Sequence, residues 1–273
     1  MRAHSNKRIF ISGGASGLGQ ALAERYAKAA WAVFICDINE ARGEAVLQKL
    51  KALGTDAHFM RADVTVLSDL QLCADWLRAN WGGVDTVVNN AGVAVGGTIG
   101  ETPMEDWEWI LNINLLGVVR GFKVFTPLFK EQGHGQFIST ASAAGLVHLP
   151  RMGAYNASKS AVVALSETMK LELASSNIRV SVVCPSFFKT NLVESLRCVD
   201  PEARLAAGRL LTDSLRSADT IADFVYNKAE RNRFMILPDK EARAARFFKR
   251  FLPSSLFFRA LSQAETLSLK KTV

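Results

Sequence analysis

The stretch KRIFISGGASGLGQALAERYAKAAWAVFICD, residues 7–37, decides the fold. A β-branched and aromatic run leads into a glycine-rich turn, then into an alanine- and leucine-rich helical segment, then into a second apolar run closed by Asp37. Gly13, Gly17 and Gly19, with Ser16 and Leu18 between them, stand in a G-x-x-x-G-x-G spacing. Glycines there let the backbone approach a pyrophosphate, which the unpaired N–H groups and positive dipole end of the next helix would hold. The spacing departs from the usual G-x-G-x-x-G fingerprint, and taken alone the stretch reads equally as a ligand-free turn. Asp37 follows Gly19 by 18 residues, where an acidic side chain accepts hydrogen bonds from the adenosine ribose hydroxyls. Its charge would repel a 2′-phosphate, and neither Ser16 nor Ile38 is basic, so the cofactor expected is NAD rather than NADP.

Outward from this unit the alternation continues: EARGEAVLQKLKAL, DAHFMRAD, DLQLCADWLRANW and VDTVVNN read as helix, strand, helix and strand. Such repetition of βαβ units predicts an α/β fold, a doubly wound parallel sheet of Rossmann type with helices on both faces. A long helix is expected from Thr102, with TPME as a capping box in which Thr102 is the N-cap, Pro103 the first helical residue and Glu105 the return partner. GQFIST reads as a strand, AYNASKSAVVALSETMKLELASS as a helix and IRVSVVCP as a strand. A mobile, partly helical insert over residues 190–216, a helix through IADFVYNKAE and a last strand RFMIL complete the body.

At 273 residues, 49% hydrophobic and 22% charged, the chain is expected to form one domain over residues 1–239 with a helical extension over 240–273. The four cysteines are widely spaced without a nearby histidine cluster, so neither a zinc site nor a disulfide framework is expected; no metal ligand set is assigned. No leader-like or spanning apolar run is found, which points to a cytoplasmic protein. The net charge of +7 is concentrated at one end: residues 240–273 carry eight Lys or Arg against two Glu. A nucleic-acid binder would spread its basic residues over a recognition face, so that class is set aside.

AYNASK puts Tyr155 and Lys159 four residues apart, on one face of a helix. A free tyrosine has a pKa of about 10, and a fixed cation beside it is expected to lower that value and ready the phenol for proton exchange with an alcohol or carbonyl. Tyr26 and Tyr226 have Ala30 and Glu230 in the matching position, so the pair is specific to Tyr155. Asp63 and Val64 could bracket an adenine, and NNAG, with Asn90, Ala91 and Gly92, could let backbone pass close to a cofactor; an ordinary loop accounts equally for either stretch alone.

Taken in order, SGGASGLG, Asp37, Asp63 with Val64, NNAG, NINLLG with Asn114, STASAAG with Ser142, Tyr155 with Lys159, and CPSFFKT with Thr190 resemble the short-chain dehydrogenase/reductase family over about residues 7 to 239. The resemblance implies that Tyr155 is the general acid/base, that Lys159 tunes it and holds the nicotinamide ribose, and that Ser142 hydrogen-bonds the substrate oxygen. It further implies that Asn114 positions a relay water and that Thr190 holds the carboxamide. Pro185–Ser186 departs from the family's common Pro–Gly, which predicts altered turn geometry; Ser12 replaces a threonine and keeps the hydroxyl. The expected activity is hydride transfer between NAD and a hydrophobic alcohol or ketone. The alternatives are a 3-oxoacyl thioester reductase using NADPH and a non-catalytic dinucleotide sensor, the latter opposed by the presence of Asn114, Ser142, Tyr155 and Lys159 together. The substrate wall is assigned to the insert and to GLVHLPRM, whose His148 reads as a wall or surface residue.

Apolar faces on the helix from Thr102 and on the helix bearing Tyr155 predict a homodimer or homotetramer. In the extension, Ala244, Phe247, Phe248, Phe251 and Leu252 share a helical face with Arg243, Arg246, Lys249 and Arg250 around the other sides. After Pro253, a second short helix capped by Ser254 or Ser255 carries Leu256, Phe257, Phe258 and Leu261. This extension either packs on the body or a partner subunit, the reading favoured on sequence grounds, or makes peripheral membrane contact.

Overall fold

The structure is a computed structural model. It describes residues 7–200, 204, 208, 214 and 216–270, with the backbone alone over 263–270. The sheet, seven-stranded among these residues and parallel throughout, comprises β1 (Arg8–Ser12), β2 (Ala32–Asp37), β3 (Ala57–Arg61), β4 (Thr86–Asn89), β6 (Gly135–Thr140), β7 (Ile178–Val183) and β9 (Met235–Ile236), in the order β3-β2-β1-β4-β6-β7-β9. The expected doubly wound α/β architecture is present in a single domain with a helical C-terminal end. Because every strand runs the same way, Ser12, Asp37, Asn89, Thr140 and Val183 all emerge at one edge, and the order reverses between β1 and β4. That reversal opens the crevice in which such sheets bind ligands.

The central strands are apolar on both sides because both faces are covered. Helices α1 (Gly17–Ala27), α2 (Glu40–Ala52) and α7 (Ala218–Glu230) bury Leu22, Tyr26, Leu50 and Val225 against Ile9, Ile11 and Ile35. Helices α3 (Leu67–Trp81), α5 (Gly117–Gln132) and α6 (Gly153–Glu172) bury Leu77, Phe125, Phe129 and Val162 against Phe10, Phe34 and Phe137. Each such side chain contributes about 1.5–3 kcal/mol when fully removed from water.

Several local expectations are corrected. The helix expected from Thr102 begins as α4 (Met104–Leu111), with Pro103 in the N-cap position and no side-chain cap. The Thr102 hydroxyl instead donates to the Thr98 carbonyl at 2.7 Å, so the capping box does not form. The helix is also not uniform: residues Asn112–Leu116 form a π-turn between α4 and α5, and Asn114 lies in it. RFMIL contributes only the two residues of β9 to the sheet. A small second sheet, which no local pattern in the sequence signals, pairs β5 (Val95–Gly96) with β8 (Arg197–Cys198). It ties the chain after NNAG to the chain after Thr190. Most of the insert beyond residue 200, including its expected mobility, lies outside the described residues.

The extension forms α8 (Lys240–Phe251) and α9 (Ser254–Lys270), so the second helix is longer than expected. It is the Pro253 carbonyl that accepts the first amides, from Leu256 and Phe257. Of the favoured packing on the body or on a partner subunit, the packing of the aromatic face on the body is corrected. Ala242 and Phe257 are buried, while Phe247, Phe248, Phe251, Leu252, Leu256 and Phe258 are exposed. The spacing explains this: Ala242, Arg246 and Lys249 turn towards the body, which leaves Phe247 and Phe251 on the opposite side. On α5 and α6 most apolar side chains are buried within the chain itself, leaving Val119, Leu165 and Met169 half-buried and Leu171 exposed.

Candidate active site

The glycine turn and NNAG close on one another across the switch point. Gly13 has φ +64°, and a Cβ there would lie 2.8 Å from the Ala91 Cα. A Cβ on Gly17, φ +52°, would lie 2.8 Å from the Thr190 hydroxyl, and one on Gly19 would collide with the Gly13 carbonyl. Only residues without a side chain allow this close approach at the α1 N-terminus, where Ser16 and Leu18 complete the turn. Asn90 fastens the crossing: its Nδ2 donates to the Ser12 and Gly13 carbonyls at 3.1 and 3.2 Å, and its N–H to the Ser12 hydroxyl. Ser12 therefore performs a hydroxyl's work as the acceptor that joins the loops.

Asp37 ends β2 at the same edge. Its carboxylate accepts from the Ala15 amide at 3.1 Å and the Asn39 amide at 3.0 Å, fixing it beside the glycine turn. Asp63 caps its own loop through Thr65, and the Val64 carbonyl accepts from Arg120 at 3.3 Å. A residue missed in the sequence is Arg42, whose charge feels Asp37 and whose guanidinium pairs with Glu194 at 2.7 Å. Nothing local signals that pair, because its partners lie 152 residues apart.

Four side chains converge where β6 and α6 meet. The Lys159 ammonium, 4% exposed, donates to the Thr140 carbonyl at 2.9 Å, and the Thr140 hydroxyl donates to Asn90 Oδ1 at 3.2 Å. Lysine and cradle thus share one network. Burial pulls the Lys159 pKa down to about 8, partly offset by the neighbouring Cys184 thiol. Ser142 stands beside the Tyr155 phenol, whose pKa it lowers, and its hydroxyl donates to the Pro185 carbonyl at 3.4 Å. Asn114, fully buried, accepts from the Val93 amide at 2.8 Å and donates to the Val93 carbonyl and the Ser158 hydroxyl. Its Oδ1 and the Lys159 Nζ stand 3.2 and 3.3 Å from the position a Gly92 Cβ would take, so both face the same gap.

One electrostatic expectation is overturned. The Tyr155 pKa is raised, because burial of the phenol outweighs the lowering effect of Ser142. Lys159 does not reverse this, since its ammonium is held by the Thr140 carbonyl and lies 5.9 Å from the ring centroid. Around the ring, Ala94, Val95, Ala154 and Leu196, with Met152, Leu192 and Trp107, form an apolar wall. His148 stands apart from the four, bonded to the Ser160 hydroxyl at 3.0 Å and next to Lys249. Burial and the Lys249 charge lower its pKa. Ser186 needs no left-handed backbone, as the non-glycine residues with positive φ are Ala30, Arg151, Asn177 and Asn232 among the described residues. Its amide donates to Asp239 at 2.7 Å.

A parallel sheet with a glycine cradle at its switch point and a Ser–Tyr–Lys cluster at its carboxyl edge defines a dinucleotide-dependent oxidoreductase. The family model described as short chain dehydrogenase matches residues 7–199, and the chain belongs to that family of enzymes, which act on CH–OH groups with NAD(P). It is 34% identical over 259 residues to a CLA biosynthesis dehydrogenase/reductase of Lactiplantibacillus plantarum, covering 88% of this chain and 91% of that one. A C alpha-dehydrogenase of Sphingobium sp. is 28% identical over 89% of this chain and 84% of its own length. Among solved structures, a short chain dehydrogenase/reductase from Burkholderia phymatum in complex with NAD superposes with a TM-score of 0.86 at 30% identity, covering 92% of this chain and 95% of that one.

Proposed function

We propose that this enzyme transfers a hydride between NAD and a hydrophobic alcohol or ketone, with residues 1–239 as the catalytic unit and 240–273 as an appended helical extension. The observation that carries the reading is the network that runs from the buried Lys159 through Thr140 and Asn90 to the glycine turn, with Tyr155 and Ser142 at the same edge of the sheet. The cradle fits the cofactor, since glycine at 13, 17 and 19 lets NNAG, Thr190 and the Gly13 carbonyl close around the α1 N-terminus, whose free N–H groups suit a pyrophosphate. Gly13, Ser16, Gly17, Leu18 and Gly19 would hold the pyrophosphate, Asp37 the adenosine ribose, Asp63 and Val64 the adenine. Asn90, Ala91 and Gly92 would line the nicotinamide half, Lys159 would bond its ribose and Thr190 its carboxamide. The Burkholderia relative's NAD and the acidic Asp37 both support NAD over NADP.

When bound, the cofactor supplies the hydride acceptor or donor. In reduction, the Tyr155 phenol gives its proton to the carbonyl oxygen while Ser142 hydrogen-bonds that oxygen, stabilising the charge that develops there; oxidation is the reverse, with the phenolate taking the hydroxyl proton. Lys159 and the Asn114 carboxamide face the gap over Gly92, where a water would pass the proton onward. The apolar wall around Tyr155 suits a hydrophobic substrate and strengthens electrostatics at the reacting oxygen by excluding water. A homodimer or homotetramer assembled through α5 and α6 is the expected solution form.

Tyr155→Phe tests the assignment: it removes the transferable proton and keeps the ring's packing. Turnover should fall at least about a hundredfold while NAD affinity changes little. Near-normal NADH formation across a panel of apolar alcohols by this variant would remove Tyr155 from the chemistry.

A further inference from the structure

We infer that the outward face of α8, continued by the first turn of α9, docks the protein on an anionic lipid surface. The aromatic side chains face solvent: Phe247, Phe251 and Phe258 are 57%, 65% and 63% exposed, and Phe248, Leu252 and Leu256 extend the patch. Phe247 packs against Phe248 and Phe251, with ring centroids 5.9 and 4.6 Å apart, so these three rings form one continuous surface. It is turned away from the body, which α8 meets through Ala242 and through Lys249, whose ammonium donates to the Leu146 carbonyl at 2.6 Å.

Charge decides the occupant. Arg243 and Arg250 are exposed on α8 and Arg259 on α9, and none of the three has a carboxylate within ion-pair distance among the described residues. Glu241, the acid of α8, is taken by Arg216 at 2.8 Å. An apolar stripe bordered by uncompensated cations matches a bilayer interface, where the rings enter the acyl boundary and the cations meet anionic headgroups. A second copy of the chain is a poorer match, because a two-fold contact through this face would set the same cations against each other at its rim.

The experiment uses the full-length protein and co-sedimentation with phosphatidylcholine vesicles made with and without phosphatidylglycerol. Binding is expected to the phosphatidylglycerol vesicles at low ionic strength and to be released by salt. Arg243→Gln with Arg250→Gln should weaken the partition roughly thirtyfold. Phe247→Ser with Phe251→Ser should abolish binding with an unchanged thermal midpoint, because both rings are exposed. Protein that stays in the supernatant with phosphatidylglycerol vesicles at low salt overturns the proposal. So does a phenylalanine pair variant that lowers the oligomer mass in light scattering, since the face would then belong to a second copy.

Discussion

Arg42 on α2 and Glu194, four residues beyond Thr190, pair at 2.7 Å and tie α2 to the chain that follows Thr190. At one end of this span Thr190 lies against Gly17; at the other Arg42 senses Asp37. Asn191 Nδ2 donates to the second Glu194 oxygen at 2.6 Å and holds the carboxylate in place. The span therefore runs from the proposed pyrophosphate end of the site to its ribose end. Both side chains are about half exposed, so the pair is salt-sensitive. Arg42→Gln should speed NADH release, and Glu194→Gln should do the same with no further gain in the double variant. Stopped-flow fluorescence gives the three rates; effects that simply add would show that the residues do not act as one latch.

Asp37 should govern cofactor choice. Asp37→Ala removes two acceptor oxygens and a charge, so NAD affinity should fall about ten- to a hundredfold and the advantage over NADP should narrow. Asp37→Asn keeps an acceptor for the Ala15 amide and isolates the charge. Arg42, once free of Glu194, would be the cation nearest to hand for a 2′-phosphate. Wild-type enzyme that turns over faster with NADP than with NAD at equal concentrations would contradict this reading.

Lys159 should make stability depend on pH in a definite window. Its folded pKa, about 8, lies below the ordinary 10.5, so between these values the unfolded chain holds a proton that the folded chain has lost. Stability from this group is therefore lowest below pH 8 and rises as pH climbs towards 10.5. Relative to Lys159→Met, the wild type should gain about 2 to 3 kcal/mol between pH 7 and pH 10. Tyr155 and Tyr26, both raised by burial, bend the curve the opposite way only above their ordinary value of 10.0. Urea titrations of both proteins at unit pH steps measure the difference, and a pH-independent difference would mean that Lys159 is better hydrated than its burial indicates.

What could be read from the sequence was what local spacing encodes. Gly13, Gly17 and Gly19 announce a turn because only glycine fits there, and Tyr155 and Lys159 share a face because helices repeat every 3.6 residues. Side-chain partners distant in sequence carry no such signal: Arg42 with Glu194, Lys249 with Leu146, and Asp239 with Ser186 become neighbours only when the sheet has ordered the loops. The direction of the Tyr155 shift was equally hidden, since it depends on how much water the folded core excludes and on the Thr140 carbonyl capturing the Lys159 charge. Thr102 shows local logic losing to geometry, for its hydroxyl finds the Thr98 carbonyl one turn back before it can cap α4.

Asp239 is expected to hold the turn that the family more often builds with glycine. It is 1% exposed at the start of α8, where one carboxylate oxygen accepts from the Ser186 amide at 2.7 Å and the other pairs with Arg216. On the opposite side of that turn the Pro185 carbonyl accepts from the Ala143 amide at 2.8 Å and from the Ser142 hydroxyl. The carboxylate is thus two hydrogen-bonded steps from the serine beside Tyr155. Asp239→Ala leaves the Ser186 amide without its acceptor and should cost about 1–3 kcal/mol in urea unfolding. It should also lower turnover more than the affinity for ADP-ribose, a ligand that lacks the nicotinamide. Asp239→Asn, which can still accept from Ser186, should recover most of the lost turnover even though it gives up the charge facing Arg216. If asparagine proves as damaging as alanine, the ion pair rather than the Ser186 hydrogen bond sets the geometry of the turn.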